Sequence, residues 1–445
     1  MKSQNKSIKI KIVLAITTLS FLSLSAGIQN NQVQAADNAN TKTEKVTLPK
    51  PYDSKSVKNF TNVLGWGKGN MPIAPAGLKV SKFADQLINP RNIYVAPNGD
   101  IFISEANTEV KGAKKLIAKV TGKGKSDRID DSANRITLLR DNNNDGIPEV
   151  RSVFHTNLSQ PYGMLVIKSY FYVANTDGVW RFPYKAGDTV LKAKGQKILS
   201  LPKGGYNNHW TRNLIANKDN SKIYISVGSG SNVAEHGMAN EIRRANILEI
   251  NPDGSGEKIY ASGLRNPVGM DWAIGTNTLW TAVNERDELG DDLVPDYITS
   301  VKQGGFYGWP YSYFGQNPDP RIKEKDQKPE LIRKAIVPDV PVGSHTASLG
   351  LAFYDGKMLP EKYQGGAFVG QHGSWNRSKI SGYKVLFVPF KNGKPSGQPE
   401  DFLTGFVANA EKNEVYGRPT DVAVLKDGSL LVSDDKTNTL WRVSK

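Results

Sequence analysis

The 445-residue chain contains no cysteine, which excludes disulfides, iron–sulfur clusters and thiolate zinc sites. It also lacks a Walker loop, a GxGxxG turn after a strand, an HExxH pair and a GxSxG elbow. Nucleotide triphosphate, nicotinamide and familiar zinc-protease chemistries therefore have no motif to support them. The five histidines are scattered, which disfavours a histidine-rich metal cage. Aromatic residues are plentiful, with 8 Trp, 17 Tyr and 15 Phe, and they can fill a sizeable core.

Only the N terminus carries a long apolar run, over residues 12–28, with four lysines before it and small residues ending at Ala35. This pattern predicts a cleavable signal peptide over residues 1–35, and hence a secreted or cell-envelope protein. A transmembrane anchor is the alternative, but the run is short and broken by Thr and Ser. After signal removal we expect no integral membrane segment. Residues 36–58 are polar and predicted to be a flexible leader, and residues 59–445 form the folded domain.

The charge is strongly positive, at +15 for the whole chain. Removal of residues 1–35 removes four Lys and no acid, which lowers it to +11. Such a surplus is typical of proteins that bind nucleic acid, an acidic surface or an anionic ligand. Residues 111–131 are rich in lysine, with five lysines within residues 111–123. We interpret this segment as a solvated loop, with an anion-attracting arm as the alternative.

A strand–turn–strand pattern recurs six times and predicts the fold. Turns such as Asn98-Gly99 and Asp427-Gly428 favour tight hairpins between alternating apolar residues. The pattern covers residues 92–104, 163–174, 213–227, 268–282, 349–369 and 421–433. Six comparable units predict an all-β fold, a six-bladed β-propeller, rather than a β-sandwich or two stacked β domains. We expect the C-terminal strand, residues 439–443, to close the ring by pairing with the first blade.

The segment 141–146 (DNNNDG) begins like a calcium loop, with oxygen donors at alternate positions and Gly at the sixth. The twelfth position is Ser152 rather than Glu, so the bidentate ligand is missing. We therefore favour an Asx/Gly turn between two strands over a calcium site.

Several polar residues stand where predicted strands begin. His209 lies in a polar turn before the third repeat, where it is either a general base or a surface histidine bonded to its own loop. Arg265-Asn266-Pro267 and Arg418-Pro419 hold matching places before the fourth and sixth repeats. Arginines at equivalent blade entrances would converge on the axis of a ring and bind carboxylates there. Arg377, close to His372, adds another cation.

Together these segments resemble the quinoprotein glucose/sorbosone dehydrogenase family, and most closely its sorbosone dehydrogenase-like branch. The matching segments cover residues 132–146, 207–216, 261–272, 283–316, 347–354, 370–378 and 416–424. The resemblance runs from about residue 70 to the C terminus. It implies a six-bladed propeller that binds pyrroloquinoline quinone (PQQ) and Ca²⁺ over the axial opening, with a histidine base that takes the proton of a sugar hydroxyl.

The resemblance also implies roles for individual residues. His209 matches the family's catalytic base, although Asn208 stands where the glucose-oxidising branch has Asp. The expected cofactor-binding residues are Arg212, Arg265, Asn266, Arg377 and Arg418. The expected metal residues are Asp287 and Glu288, which replace a Gly-Pro pair whose carbonyls bind calcium in that branch.

The function that follows is an exported oxidoreductase that passes hydride from an aldose or sugar aldehyde to calcium-bound PQQ, with an external electron acceptor. The basic residues would then serve a tricarboxylate cofactor, and no nucleic-acid partner is expected. One alternative is an extracellular binding propeller without catalysis. The other is a calcium-dependent lactonase-type hydrolase, for which Glu285, Asp287 and Glu288 are the nearest carboxylates.

Overall fold

The computed structural model describes residues 46–109 and 132–445, and from Val46 to Lys445 the chain forms one compact unit. The predicted signal peptide, residues 36–45 of the predicted leader and the whole lysine-rich loop, residues 111–131, lie outside the described residues. Within the described residues, no helix has the length and apolar character needed to cross a membrane.

The six predicted hairpins are confirmed, because each forms the first two strands of a separate antiparallel sheet. Local turn chemistry explains this. Gly99 has φ +94° and Gly428 has φ +85°, a region that Gly adopts without strain. The Gly99 N–H donates to the Ala96 carbonyl at 2.8 Å and closes the first hairpin.

Each sheet, numbered here in chain order, begins with its hairpin and adds two more strands. Sheet 1 contains Pro90–Val95, Ile101–Glu105, Arg135–Arg140 and Val150–His155. Sheet 2 contains Met164–Ile167, Tyr170–Asn175, Gly178–Pro183 and Gln196–Ser200. Sheet 3 contains Arg212–Ala216, Ile223–Val227, Asn246–Ile250 and Lys258–Ser262, with Gly305–Phe306 added in parallel at its edge.

The remaining large sheets follow the same order, except that the N-terminal strand completes the last one. Sheet 4 contains Pro267–Trp272, Leu279–Val283, Pro295–Ser300 and Val340–Ser344. Sheet 5 contains Ser348–Phe353, Ala367–Gln371, Lys384–Val388 and Glu400–Leu403. Sheet 6 contains Pro419–Val424, Leu430–Asp434, Thr439–Ser444 and Lys79–Ala84.

The other elements are short. Among the small strands, Glu414–Val415 lies between Asn62–Val63 and Val407–Asn409 and pairs with both. Ser312–Tyr313 pairs with Asn317–Pro318, and Phe390–Lys391 pairs with Lys394–Pro395. The described part of the chain has one α-helical turn, Pro329–Ile332, and 3₁₀ turns at Met238–Glu241, Glu324–Asp326 and Glu361–Tyr363. The predicted all-β class is therefore confirmed.

The first strands of sheets 2 to 6 lie against one another in order, and the first strand of sheet 6 lies against that of sheet 1; glycine makes this possible. A Cβ on Gly269 in sheet 4 would lie 2.5 Å from the Leu349 carbonyl oxygen in sheet 5. A Cβ on Gly350 would likewise lie 2.6 Å from Cα of Asp421 in sheet 6. Gly163, just before sheet 2, meets the backbone of sheet 3 in the same way. Close backbone approach thus brings the beginnings of these strands together.

Apolar side chains fill the space between neighbouring sheets. Six of the buried clusters in the described chain each join two consecutive sheets, including sheet 6 with sheet 1. A seventh cluster, formed by Ala106, Tyr162, Trp210, Val268 and Leu349, draws on residues in or next to sheets 1 to 5. Burial of this area is the main stabilising term.

The prediction for the C-terminal strand is wrong in its partner. Thr439–Ser444 pairs with Leu430–Asp434 and with the N-terminal strand Lys79–Ala84, both in sheet 6. Sheet 1 keeps four strands of its own. The two ends of the folded unit therefore meet inside one sheet, because the segment before the first hairpin is itself a strand.

Replacement of Gly269 by Ala should lower the free energy of unfolding by about 1–3 kcal/mol, because the new methyl group overlaps the sheet 5 backbone. Gly204→Ala is the matched control, since its Cβ would enter open space. Urea denaturation followed by tryptophan fluorescence measures both. Equal unfolding midpoints for the two variants would show that the sheets do not pack as described.

Candidate active site

Five charged or titratable residues of the candidate site lie at the beginnings of first strands. Arg91, His209, Arg265, His345 and Arg418 stand at or just before the first strands of sheets 1, 3, 4, 5 and 6. The loops that follow the second strands supply their partners. The site is therefore assembled from many short loops on one packed framework.

His209 is oriented by the loop after the second strand of sheet 3. Its Nδ1 lies 2.8 Å from the Ser229 carbonyl oxygen and 3.0 Å from Ser229 Oγ. A carbonyl only accepts, so Nδ1 carries the proton and Nε2 keeps its lone pair. Burial, and then the positive charge of Arg265, lower the pKa of His209 to about 3. The imidazole is therefore neutral near pH 7 and has an unprotonated nitrogen.

A first charged cluster forms around Asp287. Its Oδ2 lies 3.3 Å from Arg265 Nη2 and its Oδ1 lies 3.2 Å from His345 Nδ1. His345 Nε2 lies 2.8 Å from the Gly290 carbonyl oxygen, so both ring nitrogens of this buried histidine face acceptors. Burial would raise the pKa of Asp287, but the His345 hydrogen bond and the charge of Arg265 outweigh it and lower that pKa.

Asn232 fixes the geometry of this cluster. Its Oδ1 accepts from Arg265 Nη2 at 2.8 Å and from the Asp287 N–H at 3.0 Å, while its Nδ2 donates to the Asp287 carbonyl at 3.1 Å. Arg265 Nη1 donates to the Glu285 carbonyl at 2.6 Å. Arg265 Nε and Asn266 Oδ1 are buried without a hydrogen-bond partner. This cluster therefore has one donor and one acceptor that could bind a further polar group.

A second charged cluster forms around Asp435, which is 1% exposed. Its carboxylate accepts from His372 Nε2 at 2.9 Å and from Arg91 Nη1 at 2.5 Å. The Arg91 guanidinium also lies 5.5 Å from the centre of the Trp210 ring. Because Trp210 follows His209 in the chain, this contact joins the second cluster to the turn that carries the histidine.

Arg418 is 3% exposed and lies next to the second cluster. Its Nε donates to the His372 carbonyl at 2.9 Å and its Nη2 to the Gly373 carbonyl at 2.9 Å. Its guanidinium also lies 5.4 Å from the centre of the Tyr383 ring. Burial, and then the charge of Arg418, lower the pKa of His372 to about 4.

Arg212 bonds to the turn that contains His209. It is fully buried and donates to the carbonyls of His209 at 2.7 Å and Pro202 at 2.8 Å, and to Asn207 Oδ1 at 3.0 Å. Its guanidinium is therefore bonded mainly to backbone carbonyls of its own loop. The structure gives it a positioning role at the predicted base.

Two other predicted residues point elsewhere. Arg377 donates to Asp292 Oδ1 at 2.6 Å and to the Asp291 carbonyl at 3.1 Å, and its side chain is partly exposed. The Glu288 side chain is exposed, and its backbone N–H donates to Asn376 Oδ1 at 2.8 Å. The structure therefore brings together His209, Arg265, Asn266 and Asp287, with Arg418 linked through His372, Asp435 and Arg91.

The side chains of Asp287 and Glu288 do not fit a calcium site as they are placed. Both Asp287 carboxylate oxygens already face a cationic or N–H partner, Arg265 and His345. The Asp287 carbonyl accepts from Asn232 at 3.1 Å and from Arg321 at 2.7 Å. A divalent cation would meet these N–H groups rather than free oxygens.

Sequence reasoning missed His345, Asn232, Arg91 and Asp435. His345 had a usable signal, because it precedes the fifth hairpin just as Arg265 precedes the fourth. Asn232 and Asp435 had none, because they lie in loops after second strands and act only through partners distant in sequence.

The loop at residues 141–146 does join two strands of sheet 1, as predicted. Asp141 Oδ2 accepts the Gly146 N–H at 2.8 Å. Carboxylate oxygens of Asp141, Asp145 and Glu149 lie within 4.8 Å of one another. Glu149 thus places a carboxylate at the ninth position of the loop, three residues before the twelfth position considered from the sequence.

Comparison with known proteins adds independent information. The family described as glucose/sorbosone dehydrogenase matches residues 87–442. An uncharacterized protein of Borreliella burgdorferi is 29% identical over 381 residues, which cover 83% of this chain and 89% of that protein.

Two solved structures share the fold. The holo PQQ domain of pyranose dehydrogenase from Coprinopsis cinerea has a TM-score of 0.66 at 18% identity, over 87% of this chain and 100% of that one. The calcium structure of a Trichoderma reesei carbohydrate-active enzyme of family AA12 has a TM-score of 0.66 at 16% identity, over 91% and 99%.

Acidification should destabilise the protein through His209. The folded-state pKa of His209 is lowered to about 3, so below about pH 6.5 the unfolded chain binds a proton that the folded chain does not. Stability is therefore lost as pH falls. Between pH 6.5 and pH 5, His209→Gln should lose less stability than the unmodified protein, by at most about 2 kcal/mol. Urea unfolding at both pH values measures the difference, and identical pH dependence would contradict the neutral, desolvated imidazole.

Proposed function

Because the chain belongs to the glucose/sorbosone dehydrogenase family, we propose that it is a sugar oxidoreductase that oxidises an aldose or sugar aldehyde with bound PQQ. The observation that carries this proposal is His209, whose Nε2 lone pair is free and whose neighbours Arg265 and Asn266 have buried, unpartnered polar atoms. The roles of individual residues given below are part of the same proposal.

We propose a six-bladed β-propeller as the fold of residues 59–445. Six sheets of at least four strands in the described chain support it, as does the apolar cluster between sheet 6 and sheet 1. In such a ring the first strands surround the axis, so their entrances would form one rim. Tyr162 and Trp210 would close the channel beneath it.

The residues at this rim fit a tricarboxylate cofactor. Arg265 is buried, is near His209 and has a free Nε, and Asn266 Oδ1 is an unused acceptor beside it. Gly228 lets Asn266 and His209 pack closely against its backbone, since a Cβ there would lie 2.3 Å from Asn266 Oδ1 and 2.6 Å from His209 Cβ. We assign PQQ contact to Arg265 and Asn266, and carboxylate contact to Arg418.

His209 would act as the general base. Ser229 holds Nδ1–H, so Nε2 is the atom that receives the hydroxyl proton of the sugar. PQQ, when bound, supplies the acceptor for the hydride. An anion on Arg265 offsets the charge that helps to lower the pKa of His209, so cofactor binding would move that pKa back towards neutrality and make the imidazole a stronger base.

Asp287 would stabilise the protonated base. It lies close enough for its charge to raise the pKa of His209, which is the role that an Asp before the histidine has in the glucose-oxidising branch. Here Asn208 fills that position. Calcium remains an expectation from the family, and no step above depends on it, because the Asp287 and Glu288 side chains do not offer it a site.

The hydrolase alternative has less support. Glu285 Oε2 bonds to Arg286 at 2.9 Å, Asp287 is held by Arg265 and His345, and Glu288 is exposed. These three carboxylates therefore do not gather around one metal position. Export, a secreted or cell-envelope location and an external electron acceptor complete our proposal, and export rests on residues 1–35.

His209→Gln should reduce turnover with aldoses by about 10²–10⁴-fold, because the proton acceptor is lost. PQQ affinity should change little, since Gln keeps an amide that can face Ser229. Dye reduction measures turnover, and absorbance titration measures affinity. Turnover within threefold of the unmodified protein would remove His209 from the base role.

Arg265→Met and Arg418→Met should each weaken PQQ binding at least about tenfold, because each removes a charged hydrogen-bond donor from a carboxylate. Arg377→Met is the matched control, because its guanidinium is held by the loop at residues 291–292. Absorbance titration of each purified variant measures affinity. A larger loss for the Arg377 variant than for the other two would contradict the assigned binding geometry.

A further inference from the structure

A cavity separate from the candidate active site opens beside the outer edge of sheet 3. None of the residues proposed as base or cofactor contact lines it. It has a volume of about 720 Å³. Phe306, Trp309 and Tyr311 form aromatic walls, and Lys302 and Lys334 lie exposed in its lining. Two buried charged side chains, Arg244 and Glu241, also line it.

Arg244 has unused donor capacity. It is 5% exposed, and its Nη1 donates to Asn207 Oδ1 at 2.7 Å and its Nη2 to the Gly204 carbonyl at 3.3 Å. Its Nε is buried without a partner. A buried guanidinium in this condition lacks full compensation for its lost hydration.

Arg212 also lacks a full set of hydrogen-bond partners. Both arginines donate to the same oxygen, Asn207 Oδ1, and Arg212 Nε is also buried without a partner. Within the described residues neither guanidinium has a carboxylate within 4.0 Å. Two like charges therefore lie close together around one neutral acceptor, an arrangement that an anion would stabilise.

The charge of Glu241 offsets only part of this deficit, because burial lowers the pKa of Arg244 more than Glu241 raises it. Glu241 lies in the lining, but it accepts from the Gly230 N–H at 2.7 Å and from Ser231 Oγ at 2.5 Å. Its oxygens are thus directed to the backbone and side chain of the loop at residues 229–232.

We propose that this cavity binds a small organic carboxylate with a ring or a compact apolar face. The carboxylate would accept from Arg244 and draw on the positive charge of Lys302 and Lys334. The body of the ligand would pack against Phe306, Trp309 and Tyr311. Aromatic acids and sugar acids share this chemistry, and the experiment distinguishes them.

The proposed site communicates with the base by contact. Arg244 and Arg212 share Asn207, and Arg212 in turn donates to the His209 carbonyl at 2.7 Å. A carboxylate that draws Arg244 away from Asn207 would leave that oxygen to Arg212. The ligand would therefore act on the position of the His209 turn without touching the imidazole.

Calorimetry on the purified chain without PQQ tests the proposal independently of the oxidoreductase function. Benzoate and gluconate are the two carboxylate probes, with benzyl alcohol and sorbitol as their neutral counterparts. At least one carboxylate should bind, and its neutral counterpart should not. Benzoate alone identifies an aromatic acid as the ligand class, and gluconate alone identifies a sugar acid.

Arg244→Met should weaken that binding at least about tenfold, whereas Lys79→Met, in sheet 6, should leave it unchanged. If Arg244→Met does not fold, the exposed double variant Lys302→Met/Lys334→Met takes its place and should weaken binding at least about threefold. The proposal is overturned if neither carboxylate binds at 10 mM, if neutral probes bind equally, or if the substitutions in the cavity leave affinity unchanged.

Discussion

Buried arginines that bond to backbone carbonyls are the constraint on which the candidate active site depends. Arg212, Arg265 and Arg418 each donate to loop carbonyls, and Asp287 meets only one of the three. A guanidinium cannot lose its proton under ordinary conditions, so oriented backbone dipoles contribute to the stabilisation of each of these charges. The loops are thereby fixed, and the site keeps a positive potential that suits an anionic cofactor.

This constraint connects the fold to the chemistry. The glycines at the first strands allow backbones from neighbouring sheets to approach closely, and Arg265 at the start of sheet 4 lies near His209. Burial, and then the charges of Arg265 and Arg212, keep the imidazole neutral. Binding an anion and preparing the base are therefore linked, because a ligand that neutralises Arg265 also changes the proton affinity of His209.

The hairpins could be predicted from the sequence because their turns are local. Asn98-Gly99 and Asp427-Gly428 determine the connection, and the alternating strands determine which face is buried. The third and fourth strands of each sheet could not be placed, since insertions of different length separate them. The partner of the C-terminal strand was wrong for a related reason: Lys79–Ala84 belongs to sheet 6 although it precedes sheet 1.

The site was predictable only where position in the repeat carried information. Arg265 and Arg418 were predicted as site residues because Pro follows each at or near a strand entrance. Asn232 and Asp435 contribute contacts with residues far away in sequence, which no local pattern reveals. Residue type alone does not predict orientation, since the Arg377 side chain bonds to the loop at residues 291–292 and the Glu288 side chain is exposed.

The central claim is that this chain binds PQQ beside a neutral His209 and uses it to oxidise a sugar. The most direct measurement is an anaerobic single turnover. The purified chain is mixed with one equivalent of PQQ, glucose is added, and the quinone absorbance is followed. The account predicts stoichiometric binding at micromolar concentration and bleaching of the quinone band after glucose or another aldose is added. Absence of PQQ binding at that concentration, or a bound quinone that no aldose bleaches, would contradict it.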